Sequence, residues 1–376
     1  MSIKVTAREV GASVADLGVL LPITAALVVI NGVDPVAAFG LAGALFVVSG
    51  LFYRVPVPVQ PIKAAAAIAI ATGASPRVLA AAGLVLGLIL LALAVTGAWR
   101  LLVRVFPKPI IRGNQLGVGI LLVLIALPLA QRGTGSHGVA IAVFAGLVGV
   151  LLATAEGRIP IALVLVAGGI AWSIATGARA TLDANPALPG FGLPTSDQML
   201  TALTLLVIPQ LPLTLGNAIV GTADLEREYF GQRARRVTER NLLVTCGLGN
   251  VAVGALGGMP LCHGSSGATA YHRFGASTGG VNLVIGGALL AAGLLFGQAA
   301  VSLFALIPFP VLAALLASTG LSHAQLVTDQ RGTALAIAVA MGIVGGLTRN
   351  LTWAMAVGLP AYVVLIGSRK VLARAR

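Results

Sequence analysis

The sequence predicts an all-α polytopic membrane protein with fourteen transmembrane segments in two inverted repeats of seven, segments 3 and 10 being short half-helices. Three observations carry that expectation. Of 376 residues, 58% are hydrophobic and only 9% are Asp, Glu, Lys or Arg, against about 25% charged in soluble domains. The apolar runs are continuous rather than alternating, which suits spanning helices and not a β-barrel; in lipid only those two architectures satisfy the backbone polar groups. Two short segments interrupted by Gly and Pro hold matching places in the two halves. A mean hydropathy of +1.00 excludes a large soluble enzyme, and the two cysteines, Cys246 and Cys262, imply no disulfide framework.

Turn signals mark off the elements in order. Lys4 and Arg8 precede the first span, 13–31, in the manner of a signal peptide, but Glu9 and Asp16 interrupt that region and further spans follow, so it is an uncleaved first helix. Spans 36–54, 59–73, 76–98, 110–130, 138–154 and 159–176 complete the first set. A polar connector, 177–198, holds Asn185, Pro186, Pro189, Gly190 and Pro194. The second set runs 199–221, 239–256, 262–275, 278–297, 300–318, 333–346 and 350–366. Charge bias checks the count. With the N-terminus cytoplasmic and every segment crossing, 19 of the 24 basic residues fall inside, four (Arg77, Arg132, Arg179 and Arg349) fall outside, and Lys63 is left within a span. That asymmetry accounts for the net charge of +13 without nucleic acid, and the Arg-rich run 233–240 is a solvated loop.

The odd members are residues 56–73, PVPVQPIKAAAAIAIATG, and 260–280, PLCHGSSGATAYHRFGASTGG. Each opens with a Pro-bearing extended stretch and continues as a short helix of small residues. Fifteen helical residues reach roughly 22 Å, short of the roughly 30 Å hydrocarbon core. Short interrupted segments at equivalent places of two halves point to a transporter binding site. A helix that begins at mid-membrane presents unpaired N–H groups and the positive end of its dipole, and two such starts make an anion site without full charge.

The candidate ligand groups cluster at these starts. Gln60 and Lys63 belong to the third segment, and an intramembrane lysine is either functional or snorkels to an interface. His263, Gly264, Ser265 and Ser266 open the tenth, as ligand donors or as a helix cap. Gln210, Thr214 and Asn217 of the eighth recur on one helical face, to complete a ligand shell or to bind helices together. Asp16 near the start of the first span is a candidate for ion coupling or a cap at the interface. No Walker A sequence occurs, and His137, His263, His272 and His323 lack metal-ligand spacing. Adjacent Cys262 and His263 do not by themselves make a nucleophile pair. The chain is therefore expected to be no enzyme and to need no cofactor or metal.

DLG…P at 16–22, PVPVQPIK at 56–63, QLPLTLGNAIV at 210–220 and MPLCHGSSG…YHRFGASTGG at 259–280 resemble the bacterial and plant molybdate transporters of the sulfate permease superfamily. The resemblance implies the uracil permease-like fold, with a core domain of segments 1–4 and 8–11 (residues 1–98 and 199–297) and a gate domain of segments 5–7 and 12–14 (99–198 and 298–376). It implies a secondary transporter that imports molybdate by alternating access. Two departures matter. Sulfate permeases carry a soluble C-terminal regulatory domain, whereas ten residues follow the last span here. Many proton-coupled relatives place a carboxylate in the eighth span, where this chain has Gln210, Thr214 and Asn217, leaving Asp16 and His263 as coupling candidates. Sulfate or another oxyanion is the nearest alternative cargo, and an anion channel the alternative class. A nucleobase permease would want a carboxylate in mid-segment 8. Expected partners are the oxyanion and membrane lipids, with no nucleic acid and a homodimer as candidate assembly, in a bacterial inner membrane with both termini cytoplasmic.

Overall fold

The computed structural model describes residues 3–132, 137, 138, 141–143, 145, 146, 161–180 and 183–367. Among these, six helices are long and apolar enough to cross a membrane, and the chain is an integral membrane protein. Helix α1 (Ala7–Asn31) starts where Thr6 accepts from the Glu9 amide and stops at Gly32, whose φ of +71° is open to glycine. Asp34 caps α2 (Pro35–Tyr53), which has Pro in its first turn and ends at Arg54. Strand β1 (Gln60–Pro61) leads into the ten-residue α3 (Lys63–Thr72), and α4 (Pro76–Thr96) follows. A seven-residue helix with no buried residue, α5 (Trp99–Val105), connects to α6 (Lys108–Gln131). The sixth expected segment, 138–154, lies for the most part outside the described residues, and α7 (Ile161–Ala175) comes next.

The second set begins with α8 (Ser196–Ala234), a helix of 39 residues. It outruns the expected 199–221 because its polar tail stays helical. Within it Leu203–Val207 and Thr214–Gly221 are π-helical, beside Pro209 and Pro212, which withhold N–H donors from the ladder. Then follow α9 (Glu239–Leu256), β2 (Leu261–Cys262), the nine-residue α10 (Ser265–Arg273), α11 (Gly280–Ala305), α12 (Phe309–Gln325), α13 (Gly332–Thr348) and α14 (Leu351–Tyr362). The twelfth segment was expected at 300–318 and is found later. Apolar sequence runs on without a break, so α11 bends at Phe296 and continues to Ala305, and Pro308 and Pro310 set the next start. Pro107 and Pro109 do the same before α6.

Four helix pairs organise the packing: α2 with α11, α4 with α9, and α6 with both α12 and α13. Three of these are close glycine crossings. A Cβ added at Gly43 of α2 would lie 2.7 Å from the Gly286 carbonyl of α11, one at Gly87 of α4 2.7 Å from that of Gly247 of α9, and one at Gly119 of α6 2.6 Å from that of Gly320 of α12. Lipid provides no hydrophobic drive between helices, so backbone proximity of this kind is what holds them. Numbered as the sequence predicts the segments, the pairs 2·11 and 4·9 exchange when each index is shifted by seven, and the pair 5·12 maps onto itself.

The short helices point apart. Asn31, at the end of α1, donates to the Ala69 and Ala74 carbonyls at the end of α3, both at 2.9 Å. At the other end of α1, Glu9 accepts from the Ser277 and Thr278 amides just beyond α10, at 3.1 and 3.0 Å. α3 and α10 therefore start near one another and run toward opposite ends of α1.

Candidate functional site

The two starts are held together by main chain. β1 and β2 pair antiparallel with Gln60 opposite Cys262 and Pro61 opposite Leu261, and the Ile62 amide donates to the Pro260 carbonyl at 3.0 Å. Two buried asparagines steady the extended stretches. Asn250 of α9 donates to the Leu261 carbonyl at 2.7 Å and accepts from its amide at 2.9 Å. Asn282 of α11 does the same at Val57, at 2.5 and 3.2 Å. An amide side chain suits this work, since it carries a donor and an acceptor side by side.

Side chains then tie the elements across the gap. Lys63 Nζ, on the first residue of α3, donates to Ser266 Oγ of α10 at 3.0 Å. Gln210 Oε1 of α8 accepts from the Ala64 and Ala65 amides at 3.1 and 3.2 Å, so the start of α3 is capped rather than bare. Gln210 Nε2 donates in turn to Thr214 Oγ1 at 3.1 Å. Asn217 accepts from Ser265 Oγ. No side chain caps α10, whose N-cap is Gly264. A Cβ at Gly264 would overlap the Gln60 amide oxygen, so glycine is what lets the two starts meet.

Gln60 links this centre to α1. Its Nε2 donates to Asp16 Oδ1 at 2.5 Å, while Tyr271 of α10 donates to Asp16 Oδ2 at 3.2 Å. Asp16 thus sits buried inside α1, nine residues beyond its start at Ala7, and the reading of it as an interfacial cap is corrected: Thr6 takes that place. His263 is also enclosed. Its Nδ1 faces the Pro58 carbonyl at 2.9 Å and so donates, which leaves Nε2 to accept from Thr245 Oγ1 at 2.8 Å.

A small cavity lies at the meeting of these groups. Of the residues singled out in the sequence, Gln60, Lys63, Gln210, Asn217 and Gly264 line it. Ser265 and Ser266 stand beside it through Asn217 and Lys63, Thr214 lies behind Gln210, and Asp16 and His263 are set back in the protein. Its far wall holds two residues that the sequence did not place at this site, Gln115 of α6 and His323 of α12, the latter weighed only as a metal ligand. Gln115 carried a signal, being next to Asn114 in an apolar span; His323 carried none. Among the described residues the lining has one cation, Lys63, and no carboxylate.

A family model described as "Molybdate transporter of MFS superfamily" matches residues 8–122 and 202–322. Molybdate transporter 2 of Arabidopsis thaliana is 26% identical to this chain over 85% of it and 79% of the relative. Among solved structures, the transmembrane domain of the cyanobacterial bicarbonate transporter BicA superposes with a TM-score of 0.69 at 19% identity, covering 94% of this chain and 98% of that one. The murine anion transporter SLC26A9 in its inward-facing state gives 0.71 at 14% identity, over 98% of this chain and 70% of its own.

Proposed function

The chain belongs to the molybdate transporter family, and on that premise we propose that it imports molybdate by alternating access, holding the dianion in the cavity between the starts of α3 and α10. The family and its relatives are transporters, not enzymes. The observation that supports the reading is the composition of the lining among the described residues: one lysine, three side-chain amides besides Gln60 (Gln115 of α6, Gln210 and Asn217 of α8), and no carboxylate. A tetrahedral dianion presents only acceptor oxygens. Lys63 supplies the charge, Gln60, Gln115, Gln210 and Asn217 supply neutral donors, and the uncapped start of α10 adds the amides of Ser265 and Ser266. Thr214 and His263 serve the same site from behind, by orienting Gln210 and the Pro58 backbone.

The wall that contains Gln115 and His323 belongs to the segments we assign to the gate, 5–7 and 12–14, and the rest to the core, 1–4 and 8–11. Motion of one against the other would open the cavity to either side. We take the fold as the fourteen-segment inverted repeat of the sulfate permease superfamily, a grouping that the likeness to BicA and SLC26A9 supports. Asp16 is one hydrogen bond behind the cavity through Gln60, and we assign it the coupling of an ion to transport. Uptake of labelled molybdate into proteoliposomes tests the reading. Saturable uptake that excess sulfate leaves largely intact is the expected result. Equal competition by sulfate widens the cargo to tetrahedral oxyanions, unitary currents make the protein a channel, and no flux under any ion gradient ends the proposal.

A further inference from the structure

A second cavity lies away from the first, at the ends of α2 and α8. It is lined by Tyr53 and Arg54 at the close of α2, by Gln232 and Arg233 in the last turn of α8, and by Arg235 and Arg236 just beyond it. Charge of one sign converges there. Arg236 Nη1 donates to the Phe52 carbonyl at 2.9 Å and its guanidinium lies 5.8 Å from the Phe52 ring. Arg233 Nη1 donates to the Ser277 carbonyl at 3.4 Å and lies 5.1 Å from the Phe230 ring. Carbonyl and ring fix the direction of each guanidinium and leave its charge in place. Two of the nearby acids are engaged elsewhere: Asp224 and Glu239 both pair with Arg227, at 3.3 and 2.8 Å. Among the described residues, none of Arg233, Arg235 and Arg236 is ion-paired.

The rim and floor are also specified. Arg54 holds φ at +62°, a left-handed backbone that side-chain-bearing residues rarely adopt, and so carries its side chain to the rim. Tyr53 forms the floor, buried and fixed through its hydroxyl to Thr245 at 2.7 Å.

We propose that this cavity binds a phosphate-bearing anion, presented either by the headgroup of an anionic phospholipid or by a soluble phosphate. Guanidinium forks match phosphate oxygens two at a time, and several directed toward one hollow suit a group with three or more acceptors. The position at helix ends, where a bilayer's headgroups lie, makes a lipid able to reach it. The inference is independent of the cargo of the central cavity.

Purified full-length protein in neutral detergent is titrated with phosphatidic acid, with phosphatidylcholine and with inorganic phosphate, followed by native mass spectrometry and melting temperature. Phosphatidic acid is expected to bind saturably and raise the melting temperature, and phosphatidylcholine to do neither. Arg235→Gln, a change at an exposed side chain, should weaken binding roughly tenfold, and Arg233→Gln with Arg235→Gln further. Each variant should melt with the wild type when no anion is added. Displacement of bound lipid by inorganic phosphate, or saturable binding of phosphate alone, marks a soluble anion as sufficient; binding of lipid only marks the headgroup. Equal binding by wild type and both variants, or no saturable binding of either probe, overturns the proposal.

Discussion

Lys63 opens α3 and sets its ammonium 3.0 Å from Ser266 at the opening of α10, so one side chain joins both helix starts. If it also holds the cargo, Lys63→Ala removes a charge-assisted contact of about 1.5–3 kcal/mol. The KM for molybdate uptake should then rise by roughly 10- to 100-fold, with an unchanged elution profile. Gln210 works differently, since its carbonyl oxygen accepts from two buried amides at once. Gln210→Ala strands both, at about 1–3 kcal/mol each, and should lower the melting temperature as well as transport. At Gly264 any side chain meets the Gln60 amide, so Gly264→Leu should abolish uptake while the protein still inserts; normal uptake would move the site elsewhere. Lys63 and Gln60 were legible in the sequence because a polar group within an apolar run costs energy and needs a reason. The partners of His263 were not: Thr245 and Pro58 lie 18 and 205 residues away, and only the fold brings them to its two ring nitrogens.

At the scale of elements, sequence pattern located what capping and proline control and misplaced what they do not. α2 begins behind Asp34 and Pro35, and α4 behind Ser75 and Pro76, close to the expected limits. The break between segments 11 and 12 escaped hydropathy because residues on both sides are equally apolar; Pro308 and Pro310 hold the information instead. Glycine count likewise reveals little until helices are paired. Gly87 faces Gly247 across α4 and α9, and Gly43 faces Gly286 across α2 and α11, with no room for a Cβ between them. Gly87→Val should force those backbones apart at about 1–3 kcal/mol or more. A thermal melt of the detergent-solubilised variant measures the loss, and an unchanged midpoint would show that the crossing is looser than the distances state.

For the whole molecule, the opposed directions of α3 and α10 decide which side reaches the centre. α10 runs toward the turn that bears Arg233, as the stacking of Tyr229 on His272 at 4.1 Å shows. Ser266 at its start is exposed, whereas residues 64–70 of α3 are all buried. In the fourteen-segment topology proposed above, with the N-terminus cytoplasmic, the arginine turn would lie inside and Arg349 outside. Single cysteines at Ser266 and Arg235 should therefore react with a membrane-impermeant thiol reagent only from the cytoplasmic side, and one at Arg349 only from outside. Labelling of Arg349→Cys and Arg235→Cys from the same face would break the topology. Cys246 is buried and can stay in place, whereas Cys262 lines the cavity and is replaced by serine in the background used.

By itself the sequence determined that this chain lives in a membrane, how most spans are bounded, and that two short Pro-led helices carry its unusual polar groups. Those properties follow from local composition, since bilayer thickness and backbone hydrogen bonding act on each segment alone. Only the tertiary structure decided which of those groups face the cavity. The pairing of β1 with β2 set the helix starts side by side, turned Gln210 into a cap, put Asp16 behind Gln60, and added Gln115 and His323 from across the gap. A site built at the meeting of segments far apart in sequence is specified by packing, and packing is written in no single segment.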